Sequence, residues 1–372
     1  MAVEPKLAST LWPAHQHAHA RASSKPTRIT SKLSTHHKAI DSALCGGIDY
    51  SSITCISAEA DSSSKQLMYA VIATHLLESA TAEATVIDTT NSFDVRGLHR
   101  IVVARIQDDV DGRKQVDLVE QAVHVLERVR LMKAFDFIGL TECITELREH
   151  LEAASASTSQ EPEQQPKLPR GTVGDSEDED EDEMLDFPAP PRSPQPNESK
   201  LHATGSLPNT EQASNLLVID NITHVTTPLL KNSHIQGQAL LIPFMRSLAH
   251  LTKAHQLSTI VHNLATAYVP LTGSKPTTQT TEDTPSIFSS CKLKPALGRT
   301  FGYMVDVHML LHRVPLEHED AQVVYGTQRP GQMAGQRKMA SVLEVLADRY
   351  SSRVGRWAAF QTDSEGKLIG IT

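Results

Sequence analysis

Aromatic residues are scarce: Phe, Trp and Tyr make up 4% of the 372 residues, within a hydrophobic content of 39%. Any core this chain builds must therefore be aliphatic. Cysteine is scarce as well, with 4 residues, Cys45, Cys55, Cys143 and Cys291, and no C-x-x-C pair. That argues against a disulfide framework and a thiolate zinc site. It fits a reducing compartment, cytosol or nucleus. No run of about 18 apolar residues occurs, so a spanning helix is excluded. The first residues lack the apolar stretch of a secretory leader. A mitochondrial presequence is the alternative for this basic start, but no Arg-rich amphipathic helix is visible.

The net charge of -9 is unevenly spread. Between Glu161 and Asp186 stand 11 acidic residues against Lys167 and Arg170, so that stretch alone carries -9 and the remainder is neutral. Bulk charge neither promotes nor excludes a nucleic-acid partner, which would need local patches.

Residues 1–30 mix Ala, Ser, His, Pro and Lys without periodicity and read as a disordered tail. His15, His17 and His19 alternate there, but nothing nearby would fix a metal geometry, so a polar tract is the plainer reading. Residues 153–212 read as a disordered insertion. Like charges from Asp175 to Glu183 repel one another. Pro188, Pro190, Pro191, Pro194 and Pro196 then block helix and sheet. The insertion is a spacer or a docking tract for a basic partner. Ser176 and Ser193 suit acidophilic and proline-directed kinases, and Met184–Phe187 is an apolar cluster in acid. Residues 31–372 outside this insertion read as one core.

Within the core, strands are expected at Ser52–Ser57, Ala84–Asp88, Val129–Ala134, Leu216–Asp220 and Ser258–Val261. Helices are expected at Ser64–Leu77, Val116–Leu126, Ile138–Leu151 and Leu240–His255. Strands separated by helices of this length argue for a mainly parallel sheet. Further strands at Val305–Leu311, Met339–Leu346, Trp357–Thr362 and Leu368–Ile371 follow, with a hairpin turn at Asp363–Gly366.

Between the first strand and helix runs SAEADSSSKQ, residues 57–66. A phosphate-binding loop, G-x-x-x-x-G-K-[ST], belongs at such a junction. Lys65 stands where its lysine would. Glu59 and Ser64 replace the glycines that let backbone N–H groups wrap a phosphate. Gln66 replaces the hydroxyl that would hold Mg²⁺. Leu216–Asp220 has the form of a Walker B strand, four apolar residues ending in a carboxylate. The plainer readings are a solvated helix-start lysine for Lys65 and a strand-end acid capping the next turn for Asp220.

These motifs, in this order, resemble eukaryotic RecA-like recombinases. LSTHHKAIDSALCGGI (33–48) resembles the segment leading into their core, and Val86–Thr89 with Phe93 their second core strand. LMKAFDFIGLTECITELR (131–148), LKPALGRTF (293–301) and Arg337–Ala340 look like the D-type recombinase paralogue, with the short X-type paralogue next. The resemblance implies a RecA-like P-loop NTPase core, an α/β fold with a mainly parallel sheet and C-terminal antiparallel strands, which here is interrupted by the long acidic insertion. It implies homologous-recombination DNA repair in the nucleus. The implied partners are other recombinase paralogues and the strand-exchange recombinase, with single-stranded DNA met through the complex and no membrane.

The chain departs from that family. Beyond the eroded loop, Thr90 stands where active members carry a catalytic glutamate. Asn263 remains of an Asn-Gln pair that senses the γ-phosphate, but Leu264 follows it. The family's small helical N-terminal domain is replaced by the tail. Glu59, Ser64, Lys65, Gln66 and Asp220 thus form a vestigial nucleotide site, and the erosion weighs against ATP and Mg²⁺. The resemblance places DNA-contacting loops at Thr223–Gln238 and Tyr268–Cys291. Tyr268 and Phe288 would stack bases, and Lys275, Lys292, Lys294 and Arg299 would contact phosphates. Glu282 and Asp283 oppose this, and a surface loop is the plainer reading. No metal site is expected, since His250, His255, His308 and His312 lack a carboxylate or cysteine constellation. The expected function is a non-hydrolysing scaffold or mediator. The alternatives are an active ATP-dependent DNA-binding ATPase with a degenerate P-loop, and a regulatory protein acting through its acidic tract.

Overall fold

The computed structural model describes residues 32–59, 63–109, 115–158, 215–267, 286–325 and 338–371. A short antiparallel pair, β1 (Lys32–Leu33) and β2 (Ile48–Asp49), flanks α1 (Lys38–Ala43). Then come β3 (Ser52–Ala58), α2 (Ser64–Glu78), β4 (Glu83–Asp88), α3 (Val95–Asp109), α4 (Gln115–Leu126), β5 (Val129–Lys133) and α5 (Phe137–Thr158). After the acidic region follow β6 (Asn215–Asp220), α6 (Ile222–Asn232), α7 (His234–Ala254), β7 (Ser258–Ala267), β8 (Leu293–Pro295) and α8 (Gly298–Gly302). The chain closes with β9 (Val307–Pro315), α9 (His318–Tyr325), β10 (Met339–Asp348), β11 (Trp357–Thr362) and β12 (Leu368–Gly370). By its contacts the chain divides at Ala153 and Gln212, and the elements above belong almost entirely to the unit outside that stretch.

The strand order is β12-β11-β10-β9-β3-β7-β6-β4-β5, with β8 paired to the end of β7. From β9 to β5 all neighbours are parallel, whereas β9 to β12 pair antiparallel. Every residue of β3 is buried, as a central strand covered on both faces requires.

Alternation along β6 divides the core. Leu216 and Val218 face α2, α3 and α4, where Leu67, Ile72, Leu98 and Leu118 are buried. Leu217 and Ile219 face α5, α6 and α7, where Leu140, Val225 and Leu248 are buried. A third cluster under the C-terminal strands joins Phe288, Leu310, Val342 and Trp357. Each of these aliphatic side chains contributes about 1.5–3 kcal/mol by leaving water, so two full layers on one sheet outweigh the poverty in aromatics.

Register carries this layout to the site. Asp88 stands opposite Asp220 on one side and Lys133 on the other, and Ala58 stands opposite Leu264. Ligands of open parallel sheets bind outside such carboxyl ends.

The structure departs from the sequence expectations in several places. Residues 95–109 form α3, its buried Leu98, Ile101, Val102 and Ile106 at helical spacing. The expected DNA loop at Thr223–Gln238 is α6 and the start of α7. Pro228 removes a backbone donor inside α6. The Asn221 side chain caps the helix at His224 N (2.8 Å), and Ile222 and Val225 bury its apolar side. Strand β7 runs on to Ala267, so Asn263 and Leu264 lie inside it rather than after it. The insertion expected at 153–212 lies mostly outside the described residues, as does the tail expected at 1–30.

Candidate functional site

The junction of β3 and α2 lies at the carboxyl edge, with residues 60–62 outside the described set. Ser63 precedes α2 without a side-chain cap bond, and its hydroxyl instead meets Ser341 Oγ at 2.8 Å. Ser64 is buried. Lys65 Nζ donates to Ser92 O (3.1 Å) and Ser92 Oγ (2.9 Å), on the turn after β4. Gln66 leans toward the C-terminal hairpin, its Cγ 3.7 Å from where a Cβ on Gly366 would stand, and its Oε1 is buried without a partner. Burial pushes the Cys291 thiol pKa up, and the carboxylates of Glu344 and Glu59 push the same way.

The turn after β4 is closed on itself. Asp88 accepts from Thr90 N (2.9 Å), Thr90 Oγ1 (3.1 Å) and Phe93 N (2.9 Å). Burial raises the Asp88 pKa, but the backbone bonds from Phe93, Thr90 and Ser92 and the Thr90 hydroxyl outweigh it and hold the carboxyl below its ordinary value. Thr90 Oγ1 also meets Ser92 Oγ at 2.6 Å. The hydroxyl standing at the glutamate position is therefore spent on the turn, and has no carboxylate with which to activate water. From the far side Lys133 Nζ donates to Asn91 Oδ1 at 2.7 Å.

Asp220 is buried, and its Oδ1 lies 2.7 Å from His262 Nδ1. His262 is buried too, and its Nε2 has no partner. Main-chain bonds tie β4 to the same place: Thr89 N donates to Asp220 O (2.8 Å), and Thr89 Oγ1 donates to Asn221 O (2.7 Å). The Asp220–Asn221 peptide is cis.

Asn263 faces the opposite side of the sheet and is fully buried. Its Nδ2 donates to Ser57 Oγ (2.8 Å), and its Oδ1 accepts from Thr223 Oγ1 (2.6 Å). Ser57 Oγ then lies 2.7 Å from His308 Nε2. Burial lowers the His308 pKa to about 4, so the ring is neutral and the Ser57 proton completes the chain. Both ends of the Asn263 amide are thus engaged by buried side chains next to the carboxyl edge.

The expected DNA contacts fall partly outside the described residues. Tyr268, Lys275, Glu282 and Asp283 lie outside the described residues. Phe288 is buried edge-on against Trp357 (ring centroids 5.5 Å apart) and His312 (5.1 Å), so it offers no face to a base. Lys292 is exposed and donates to Ser289 O at 3.3 Å. Lys294 lies on β8 opposite Thr266, and Arg299 on α8. Among the described residues no group of three or more His, Cys, Asp and Glu could hold a metal ion, and no helix is long and apolar enough to cross a membrane.

Of the residues singled out from sequence, Lys65 and Asp220 stand at the carboxyl edge, Ser64 is buried, and Gln66 leans toward the C-terminal hairpin. Sequence reading passed over Lys133, Ser92 and His262. A lysine closing a strand and a histidine inside one carry no motif, and only register brings them to the site. The edge fits a phosphate at Lys65. It fits a hydrated Mg²⁺ poorly: His262 holds one oxygen of Asp220, and Gln66 has no hydroxyl and leans toward Gly366.

This architecture, with a strand–loop–helix lysine and a strand-end aspartate at the edge of a mostly parallel sheet and an antiparallel C-terminal extension, is a RecA-like fold. Among solved structures the chain is similar to one described as the crystal structure of the RadB recombinase. The match covers 91% of this chain and 100% of that chain, with a TM-score of 0.50 and 17% sequence identity. No family model and no curated protein matches the chain.

Proposed function

We propose that the chain is a RecA-fold subunit of homologous-recombination repair, acting as a non-hydrolysing scaffold or mediator that supports the strand-exchange recombinase on single-stranded DNA. The observation that carries the non-hydrolysing half is the 2.7 Å contact between Asp220 and His262, with Thr90 folded into its own turn. Phosphoryl transfer in such cores depends on positioned charge at those places. The fold, and the resemblance of residues 131–148 and 293–301 to the D-type paralogue, support the repair assignment. In this reading the partners are other recombinase paralogues, the working compartment is the nucleus, and residues 153–212 form an insertion within one core.

The test is reconstitution. Loading of a strand-exchange recombinase on single-stranded DNA is measured with and without this chain, beside ATP turnover by the pure chain. Enhanced loading without turnover is expected. Turnover that disappears in Lys65→Ala would establish the second reading, an ATPase with a degenerate loop, which the placement of Lys65 at the start of α2 favours. No effect on loading removes the mediator role.

A further inference from the structure

Lys65 and Lys133 approach the turn Thr90–Ser92 from two different elements, the first turn of α2 and the end of β5. Both ammonium groups are held only by neutral oxygens: Lys65 by Ser92 O and Oγ, Lys133 by Asn91 Oδ1. No ion pair involves either lysine among the described residues, although the chain as a whole is acidic. The two carboxylates standing in the same register row make no ion pair with them among the described residues. Asp88 accepts the turn's own donors, and Asp220 is bonded to His262. The edge therefore presents two lysines without an ion-pair partner among the described residues, on either side of the turn Thr90–Ser92. A dense anion is what such a set binds, through charge-assisted hydrogen bonds that replace the neutral ones.

We propose that this edge binds the triphosphate of a nucleotide without a divalent cation, with Lys65 and Lys133 supplying the positive charge that a metal ion supplies in other phosphate sites. This rests on the RecA-fold reading of the β3–α2 junction. It follows from the misfit with Mg²⁺: the groups that would hold the ion are diverted to His262 and toward Gly366, while a second lysine has come to the place.

The test uses the full chain and ATP, followed by calorimetry in excess EDTA and in excess Mg²⁺. Binding in EDTA is expected, within about threefold of that in Mg²⁺. Lys133→Ala should weaken it by about tenfold or more, and Lys133→Arg should restore most of it. Lys133 is exposed, so neither variant endangers the fold. His262→Thr, which releases Asp220, should strengthen binding in Mg²⁺ relative to EDTA. Should that variant fail to fold, the Lys133 pair still decides. Binding that requires Mg²⁺, absence of binding in both conditions, or an unchanged affinity of Lys133→Ala overturns the proposal. So does a single-stranded oligonucleotide bound through Lys133 when ATP is not. Recombinase loading that persists without ATP binding removes this proposal and leaves the mediator reading standing; ATP binding without loading does the reverse.

Discussion

His262 Nδ1 lies 2.7 Å from Asp220 Oδ1, joining two neighbouring parallel strands where both side chains are buried. The bond satisfies a carboxylate that is buried from solvent. His262→Ala would leave that carboxylate unpaired at a cost of about 1–3 kcal/mol. Urea unfolding should show a lower midpoint with an unchanged slope. An unchanged midpoint would mean that the carboxylate finds another donor.

Arg353 fastens the C-terminal strands to the start of the core. Its guanidinium meets Asp348 Oδ2 (2.6 Å) and Asp49 Oδ2 (2.7 Å) and donates to Leu44 O (3.3 Å). All but 4% of its side chain is buried. Removing one partner of such a cluster leaves buried charge behind, so Arg353→Ala should lose about 3–5 kcal/mol. Arg353→Lys should recover only part, since an ammonium cannot reproduce the fork. Thermal melts of both variants check this.

Acid should unfold the protein partly through its core histidines. Burial holds His308 and His312 down at about 4, against 6.5 for a free imidazole. Between those values the unfolded chain binds protons that the folded chain does not, so stability falls as pH drops from about 6.5 toward 4. His308→Leu with His312→Leu should flatten that slope. A slope unchanged in the double variant would assign the acid sensitivity to other groups.

Glu344 should act with the opposite sign. It is buried and accepts from Ser286 Oγ (2.6 Å) and Ile287 N (2.7 Å), at the start of the segment that leads to β8. Burial raises its pKa from 4.5, against the pull of those two bonds. The folded chain therefore holds that proton more tightly than the unfolded chain does. Its stabilising contribution is complete below the unfolded value and is lost as pH rises through the folded one. Stability measured against Glu344→Gln should shift in favour of the variant as pH rises from about 4 to neutral. A difference independent of pH would show that Glu344 does not titrate differently on folding.

The sheet was legible because its central strands are short apolar runs between helical spacings. Ser52–Ser57 and Leu216–Asp220 were read within a residue of their observed bounds. Helix α3 was missed, since Gly97 and its β-branched residues blur a pattern that only burial of Leu98, Ile101 and Ile106 makes clear. Helix α6 was missed because the resemblance placed a DNA-contacting loop at Thr223–Gln238, where the Asn221 cap and the buried Ile222 and Val225 instead hold a helix. Phe288, expected to stack on bases, was taken instead by Trp357 and His312, which are distant in sequence.

By itself the sequence determined the alternation of strands and helices, the place of Lys65 at a strand–helix junction, and Asp220 at a strand end. These follow from local periodicity, which one segment carries alone. Only the tertiary structure decided what those residues do. Parallel pairing set Asp88 between Lys133 and Asp220, set His262 against Asp220, and brought Ser92 to Lys65. Hydrogen bonds between side chains on different strands depend on register, and register is a property of the assembled sheet, which no single segment encodes.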